Sequence, residues 1–405
     1  MANSTNPDNI RVVQSKKGAL SCPTQPFGKP LKLTLNTPYL VWTTLITNTN
    51  YLSGLLTLDY SLKKHKSKYP LVALYTDTFP QEGHQALDSR KIPKKRVKYL
   101  LPSVHKDYSN DTRFYDCWSK LTPFSLVEYE RVVQLDSDML VLKNMDELME
   151  LELDPPSLEG KGNKVFAASH ACVCNPLKKP HYPQDWSVPV LRQAVCATTC
   201  PHTSTIGDRT ATSFDHSHID HIIEKNSERN QSTFADRSKL SFWFQIVTNA
   251  IDRIPANCAF TTQHADPEAA QKHGASPTAG LAMVNGGLQV VNPSNAIYNA
   301  ILEHMSTSSA IGDYEFADQS LLSDLFADRW VPLPYIYNAL KTLRWKEVHA
   351  PIWRDDEVKN IHYILSPKPW DESPQTSTEE THKWWWATNH QRLAEEKSQG
   401  IAAGF

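Results

Sequence analysis

A short apolar segment interrupted by two carboxylates constrains the fold of this chain more than any other feature. The segment runs from Arg131 to Leu142 and reads Arg-Val-Val-Gln-Leu-Asp-Ser-Asp-Met-Leu-Val-Leu. A run this short and this rich in Val and Leu is typical of a buried strand in a parallel sheet. Ligands of open α/β sheets bind just beyond the carboxyl ends of such strands. The segment therefore predicts a parallel α/β sheet with a site beside Asp136 and Asp138.

The two carboxylates favour a divalent cation. Asp136 and Asp138 flank a single residue, so in an extended backbone their side chains point the same way. Hard oxygen donors of this kind suit Mg²⁺ or Mn²⁺. Such a cation usually accompanies a diphosphate, which predicts a metal-dependent enzyme acting on a nucleotide-linked substrate. The alternative is that Asp-Ser-Asp forms only a solvated turn, and the motif alone does not decide between the two.

Strands and helices alternate along the first part of the chain. We predict a strand over Tyr39–Ile46, a helix from about Asn50 that ends in lysines, and a strand over Leu71–Tyr75. A helix over about Asp116–Glu130 then precedes the Asp-Ser-Asp segment. The opening contains neither Gly-x-Gly-x-x-Gly nor Gly-Lys-Ser/Thr, which excludes a standard dinucleotide fingerprint and a phosphate loop. The alternation predicts a doubly wound, mostly parallel sheet flanked by helices.

Regular patterning returns in the last third of the chain. Strands are predicted over Ala282–Asn292 and Asn360–Leu365, and helices over about 294–306, 317–327 and 379–397. The last helix carries three consecutive tryptophans, which we interpret as core packing or a cover over the sheet.

The domain prediction is one domain with two irregular parts. Residues 1–30 are polar and rich in proline, so we expect a poorly ordered N-terminal extension. Residues 31–398 are predicted to form a single domain. Residues 187–254 interrupt it with poor periodicity, which is typical of a disordered insertion. Translated non-coding sequence is the other interpretation of that segment.

Composition excludes several classes of protein. The chain has 405 residues and a net charge of −2, so nothing indicates nucleic acid as the main partner. It has no apolar run long enough to span a bilayer and no apolar core of a secretory signal. Seven cysteines without such a signal indicate reduced thiols and a cytoplasmic protein. The sequence does not fix the oligomeric state, and a homodimer is compatible with it.

Some of the cysteines suggest a second metal site. The residues that a zinc site would use are Cys172, Cys174, Cys196 and Cys200, with His170 and His202 nearby. Structural zinc sites usually use Cys-x-x-Cys pairs, and Cys-x-Cys and Cys-x-x-x-Cys depart from that spacing. The spacing therefore disfavours zinc.

Further blocks, in order along the chain, resemble the family-8 retaining glycosyltransferases, the group that contains glycogenin and galactinol synthase. The blocks are Leu45–Tyr51, Ser119–Leu121, Asn285–Gly287, Phe316–Gln319 and His362–Trp370. The resemblance covers most of residues 39–186 and 255–398, and the His-Tyr…Lys-Pro-Trp block after Asp-x-Asp is its most specific part. It implies a GT-A fold, an α/β nucleotide-diphospho-sugar transferase domain that uses Mn²⁺ (or Mg²⁺) and a UDP-sugar.

The resemblance also implies roles for the residues that lie nearest the diphosphate. Asp136, Asp138 and His362 correspond to the metal ligands, because two carboxylates and a neutral imidazole leave positions free for diphosphate oxygens. Lys368 corresponds to a diphosphate contact, a positive charge placed where negative charge develops.

The other implied positions surround the nucleoside and the sugar. They are Thr47, Asn48 and Tyr51 for the uridine, Lys120 and Asn285 for the donor sugar or ribose, and Asp318 and Gln319 facing the transferred sugar. Retention in the family is attributed to front-face attack, so no protein nucleophile is required. Asp318 or Gln319 would steady the oxocarbenium-like transition state.

Each of these residues also has a purely structural interpretation. Thr47 and Asn48 are common helix caps, and Asn285 beside two glycines is a common turn residue. Lys120 suits a solvated surface, and His362 suits a core position bonded to backbone. Their joint occurrence in family order favours a donor site, because consistency across levels outweighs each single position.

The acceptor is predicted from the branch of the family. Glycogenin glucosylates its own tyrosine, and that position falls at Trp345 here. The Pro334–Asn338 segment and Leu126–Tyr129 are closer to galactinol synthase, which moves galactose from UDP to myo-inositol. A small polyol such as myo-inositol is therefore the expected acceptor, with a glycogenin-like glucosyltransferase or a non-catalytic carbohydrate-binding protein as alternatives. The blocks do not separate UDP-galactose from UDP-glucose.

Overall fold

A computed structural model describes residues 39–183, 186, 257–402 and 404–405. The extension predicted over 1–30 and the insertion predicted over 187–254 lie outside the described residues, as do Cys196, Cys200 and His202. None of the helices in the described ranges combines the length and the apolar composition that a bilayer crossing needs.

The central layer is a seven-stranded sheet with the order β3-β2-β1-β4-β7-β6-β8. Its strands are β1 (Leu40–Ile46), β2 (Leu71–Tyr75), β3 (Lys94–Arg96), β4 (Arg131–Leu135), β6 (Phe166–His170), β7 (Val284–Val291) and β8 (Trp330–Pro332). Strands β3, β2, β1 and β4 are parallel, and β6 is parallel to β8. Strand β7 runs antiparallel to β4 and to β6. This topology confirms the predicted mostly parallel α/β sheet.

Helices cover both faces of the sheet because neighbouring strand residues point to opposite sides. The described helices are α1 (Leu52–Lys64), α2 (Gln81–Ser89), α3 (Arg113–Cys117), α4 (Ala259–Thr262), α5 (Asn295–Thr307), α6 (Ala317–Leu325) and α7 (Glu380–Ser398). Val41 belongs to one apolar cluster, which includes Ile301 of α5 and Leu321 of α6. Trp42 belongs to another cluster, which includes Leu58 of α1. The buried tryptophans of α7, Trp385 and Trp386, confirm the predicted packing role.

A second, three-stranded sheet brings the Asp-Ser-Asp segment beside the C-terminal part of the chain. Its strands are β5 (Met139–Val141), β9 (Ala339–Leu340) and β10 (Asn360–His362), in the order β5-β10-β9. Strand β10 is antiparallel to β5 and pairs His362 with Met139. Because Met139 directly follows Asp138, this pairing places His362 beside Asp138.

The structure corrects two predicted elements. Arg131–Leu142 is divided between β4 and β5, which belong to different sheets. The polar connection is stable because its backbone is bonded elsewhere: Asp136 N–H donates to Gly287 and Tyr363 N–H donates to Asp138. The helix predicted over Asp116–Glu130 is instead the short α3 followed by a 3-10 helix, Trp118–Ser125, with Pro123 inside it. Proline lacks the N–H that a longer α-helix needs.

Candidate active site

One pocket is lined by every residue predicted for the donor site. These residues are Thr47, Asn48, Tyr51, Lys120, Asp136, Asp138, Asn285, Asp318, Gln319, His362 and Lys368. The pocket lies at the carboxyl ends of β1 and β4, where the chain leaves parallel strands. The fold therefore brings together side chains that are up to 321 positions apart in the sequence, from Thr47 to Lys368.

The centre of the pocket is a cluster of two carboxylates and one imidazole. Ligand atoms of Asp136, Asp138 and His362 lie within 4.8 Å of one another. The Nε2 atom of His362 is 3.3 Å from Asp138 Oδ1 and 3.7 Å from Asp136 Oδ2. Asp138 and His362 are buried, whereas Asp136 is partly exposed to the pocket. Two carboxylates and a nitrogen with an open side are a donor set suited to a divalent ion.

A chain of hydrogen bonds fixes the tautomer of His362. Gly287 N–H donates to Asn285 Oδ1 at 3.1 Å, and that oxygen also accepts from Asn338 Nδ2 at 2.8 Å. Asn338 Oδ1 is thereby directed at His362 Nδ1, 2.9 Å away. Because an amide oxygen only accepts, Nδ1 carries a proton, and in the neutral ring Nε2 is the nitrogen that has the lone pair. The lone pair faces the two carboxylates, as a metal-binding histidine requires.

Two lysines neutralise the carboxylates. Lys120 Nζ lies 2.7 Å from Asp136 Oδ2, and Lys368 Nζ lies 2.5 Å from Asp138 Oδ2. Burial alone would raise the pKa of Asp138, but the ammonium group of Lys368 holds it well below its ordinary value. Burial alone would lower the pKa of Lys120, but Asp136 raises it well above that of an ordinary lysine. The ion pair with Lys368 therefore favours the carboxylate form of Asp138, and the ion pair with Asp136 favours the ammonium form of Lys120.

Asp318 lines the same pocket, and its carboxyl group has a raised pKa. Burial raises its pKa to about 7, with a further contribution from Asp136 and against the effect of Lys120. Its Oδ2 atom is buried without a hydrogen-bond partner. Gln319 lies beside it and accepts a 3.2 Å hydrogen bond from Gly286 N–H at Oε1. An unpartnered carboxyl oxygen is available to a group that enters the pocket.

The two glycines after Asn285 are required by these neighbours. A Cβ added to Gly286 would lie 2.3 Å from Asp318 Oδ2, and one added to Gly287 would lie 2.4 Å from His362 Cε1. Both distances are far below ordinary van der Waals contact. The Asn-Gly-Gly block therefore admits the carboxyl group of Asp318 and the ring of His362 against the strand.

The other end of the pocket is polar and aromatic. Thr47 Oγ1 donates to Asp116 Oδ2 at 2.7 Å, and Asn48 caps the short 3-10 helix Thr49–Tyr51 through a 2.9 Å bond from Asn50 N–H. The ring of Tyr51 meets Trp370 edge-on, with centroids 5.7 Å apart. Burial raises the pKa of Tyr51 to about 12, so its hydroxyl stays protonated.

Sequence reasoning missed two polar residues that line this pocket and one that lies buried behind it. Asn338 is hydrogen-bonded to His362, and Asp116 and Arg113 of α3 line the pocket beside Thr47 and Tyr51. Asn338 lies in the Pro334–Asn338 segment, which we used only to separate branches of the family. Asp116 and Arg113 lie in a helix with no recognisable motif, so no local pattern marks them.

Comparison with known proteins indicates a glycosyltransferase, and the α/β fold is compatible with that class. Residues 43–181 match the family model for glycosyl transferase family 8. The chain is 23% identical over 367 residues to galactinol synthase 1 of Solanum lycopersicum, covering 88% of this chain and 84% of that protein. It is 24% identical over 353 residues to galactinol synthase 2 of Arabidopsis thaliana, covering 85% of this chain and 79% of that protein.

A solved structure also resembles this chain. The glycosyltransferase GlyE of Streptococcus pneumoniae matches with a TM-score of 0.45 and 16% identity, over 90% of this chain and 64% of that one. The family match and the similarity to the plant relatives support a glycosyltransferase of the family-8 type. Its mostly parallel sheet flanked by helices is the GT-A type of architecture that the resemblance implied.

Proposed function

We propose that this protein is a metal-dependent retaining hexosyltransferase that moves a hexose from a UDP-sugar to the hydroxyl of a small polyol such as myo-inositol. The observation that carries the proposal is the convergence of Asp136, Asp138 and His362, with ligand atoms within 4.8 Å, in the pocket that also contains every other predicted donor-site residue. A non-catalytic carbohydrate-binding protein would leave unexplained why this cluster shares one pocket with all the other predicted donor-site residues.

The residues fit a divalent ion. Asp136 and Asp138 would supply oxygen ligands, and His362 would supply Nε2, the nitrogen that the hydrogen bond to Asn338 leaves unprotonated. Mn²⁺, or Mg²⁺ in its place, would act there as a Lewis acid that stabilises the negative charge of the leaving UDP. Lys368 is buried against Asp138 and would add a fixed positive charge for the diphosphate.

The nucleoside would bind at the aromatic end of the pocket. Tyr51 offers a ring that Trp370 holds from the side, and a protonated hydroxyl. Thr47 and Asn48 present polar atoms on the same wall. Asn48 therefore combines the capping role that the sequence allowed with a position facing the ligand.

The sugar would lie between Lys120, Asn285, Asp318 and Gln319. In the transfer step the bond from the anomeric carbon to the diphosphate oxygen breaks, and a bond from that carbon to the acceptor oxygen forms on the same face. The acceptor proton passes to a donor phosphate oxygen, so the protein needs no nucleophile. The buried, unpartnered Oδ2 of Asp318 would contact the sugar as positive charge develops.

The acceptor proposal rests on the relatives and on Trp345. The similar plant proteins are named galactinol synthases. Trp345, at the position of glycogenin's target tyrosine, has no hydroxyl and donates its Nε1–H to Glu379 at 3.2 Å. The glycogenin-like alternative would therefore require a different attachment residue.

The cellular setting belongs to the same proposal. The described cysteines, Cys117, Cys172, Cys174 and Cys258, carry no disulfide, which supports a reducing compartment such as the cytoplasm. A homodimer stays a prediction, which analytical ultracentrifugation would test.

UDP release with Mn²⁺ tests the function. UDP-galactose and UDP-glucose are each supplied with and without myo-inositol, and Asp138→Asn serves as the inactive control. Release that needs UDP-galactose and inositol together supports the proposal. Acceptor-independent release with an increase in protein mass would support the glycogenin-like alternative, and no release with either donor would refute the proposed transfer of a hexose from UDP to myo-inositol.

A further inference from the structure

A second cluster of metal-binding side chains lies outside the donor-site cluster. Ligand atoms of Cys172, Cys174, Cys258 and His349 lie within 4.8 Å of one another. The sulfur atoms of Cys174 and Cys258 are each 3.2 Å from His349 Nε2. No residue is shared with the Asp136, Asp138 and His362 cluster.

The members of this cluster come from distant parts of the chain. Cys172 and Cys174 directly follow β6, Cys258 precedes α4, and His349 precedes the 3-10 helix Ala350–Ile352. Cys174, Cys258 and His349 are at most 1% exposed, and Cys172 is half-buried. Three thiols and an imidazole packed together in an apolar core have poor hydrogen-bonding partners in one another, whereas a metal ion would satisfy all of them.

A further histidine orients the ring of His349. His264 Nε2 lies 2.9 Å from His349 Nδ1. When Nδ1 carries the proton and donates it to His264, the lone pair of His349 Nε2 points at the sulfur atoms. Such an outer hydrogen bond accompanies metal-bound histidines almost always.

We propose that Cys172, Cys174, Cys258 and His349 bind a structural Zn²⁺ ion. Thiolate and imidazole ligands select zinc over the hard cations that suit carboxylates. Tetrahedral zinc places sulfur and nitrogen ligands about 3.6 Å apart and two sulfurs about 3.8 Å apart. The observed 3.2 Å contacts need to open by only a few tenths of an ångström. Four protein ligands close the coordination sphere, as in structural rather than catalytic zinc sites.

This site differs from the one considered from spacing alone. Cys172 and Cys174 are shared with that pairing, but the other ligands are Cys258 and His349. His170 takes no part, because its Nε2 faces the carbonyl oxygen of Ser276 at 2.9 Å. Spacing relates only cysteines that are neighbours in the sequence, whereas the four ligands come from three separate segments.

The zinc ion would fasten one wall of the active-site pocket. Ala171, Cys172 and Asn175 line that pocket, and they are continuous with the two thiolate ligands. Cys258 belongs to the apolar cluster behind the wall, and the ring of His349 contacts Phe260 of that cluster. The ion therefore cross-links the segment after β6 to two segments that are far from it in sequence.

Metal content of the purified full-length protein tests the proposal. After expression with zinc and passage over a weak chelating resin, we expect about one zinc ion per chain by plasma mass spectrometry. Cys258→Ser and His349→Ala should lose it. Cys117→Ser, a cysteine outside the cluster, should keep it, and so should Asp138→Asn, which removes a ligand from the other cluster. Zinc retained in Cys258→Ser but lost in Asp138→Asn would overturn the assignment.

A measurement on the wild-type protein tests the site even if the variants fail to fold. Growth with cobalt in place of zinc should give the intense thiolate-to-cobalt charge-transfer absorption of tetrahedral Co²⁺, which carboxylate ligands cannot produce. Its presence supports the site. The proposal would be refuted if a folded protein lacked this absorption and all four described cysteines reacted as free thiols. A disulfide between two of them, with no such absorption, would refute it as well.

Discussion

The substitution Asn338→Ala tests how the fold prepares His362 for a metal ion. Asn338 is fully buried, and its amide joins His362 Nδ1 at 2.9 Å to Asn285 Oδ1 at 2.8 Å. Truncation removes two buried hydrogen bonds and leaves the His362 N–H without a partner. At about 1 kcal/mol for each lost bond, the free energy of unfolding should fall by about 2–3 kcal/mol.

The loss of orientation should weaken metal binding. Removal of an outer hydrogen bond to a ligating histidine typically costs roughly 10–100-fold in metal affinity. That corresponds to about 1.4–2.7 kcal/mol. We therefore expect the Kd for Mn²⁺, measured by isothermal titration calorimetry, to rise by this factor in Asn338→Ala. The Mn²⁺ concentration that half-activates UDP release should rise in parallel.

The matched control is Asn360→Ala. Asn360 is also fully buried and lies on the same strand as His362, but its amide donates to the Tyr337 carbonyl at 2.9 Å rather than to a ligand. This variant should lose comparable stability and keep the wild-type Kd for Mn²⁺. An equal loss of affinity in both variants, or an unchanged Kd in Asn338→Ala, would refute the orienting role.

Three further predictions concern the same pocket. Gly287→Ala places a Cβ 2.4 Å from His362 Cε1, so the ring must shift; we expect a stability loss of about 1–3 kcal/mol and at least a roughly tenfold loss of Mn²⁺ affinity by calorimetry. Asp318 has a pKa of about 7 in the folded protein against an ordinary 3.8, so it stays protonated to a higher pH in the folded than in the unfolded protein. The protein's free energy of unfolding should therefore fall as pH rises from 3.8 to about 7. Thermal denaturation without added Mn²⁺ should not show that fall in Asp318→Asn. Lys120→Met removes the cation 2.7 Å from Asp136, so the Kd for Mn²⁺ should not rise while kcat falls by roughly 10²–10³-fold; a raised Kd with unchanged kcat would contradict the donor role.

Local pattern was sufficient for most of the fold. The strand Leu71–Tyr75 has the predicted bounds, and α1 ends at Lys64, among the predicted C-terminal lysines. These elements are encoded by spacing within a few residues, which a sequence displays directly. The division of Arg131–Leu142 between two sheets was not predictable, because the apolar pattern of a strand does not state which neighbour it pairs with.

The candidate site shows the same limit. Asp136 and Asp138 are visible because two carboxylates stand beside an apolar run, and His362 because it belongs to a block with a family resemblance. Asn338 belongs to a recognised segment that does not indicate its contact with His362, and His349 carries no local signal. Each acts only through partners brought together by the fold. Contacts between distant segments are the part of a site that sequence pattern cannot supply.

Mn²⁺ binding with and without UDP tests the central claim most directly, because it measures the metal and the donor at the proposed ligands. Electron paramagnetic resonance of free Mn²⁺ would follow titration of the wild type, Asp138→Asn, His362→Ala and Asp328→Asn. Asp328 is an exposed turn residue that does not line the pocket. We predict about one Mn²⁺ site that UDP tightens in the wild type and in Asp328→Asn, and no such site in the other two variants. Wild-type Mn²⁺ affinity in Asp138→Asn or His362→Ala would contradict the assignment of these residues as metal ligands.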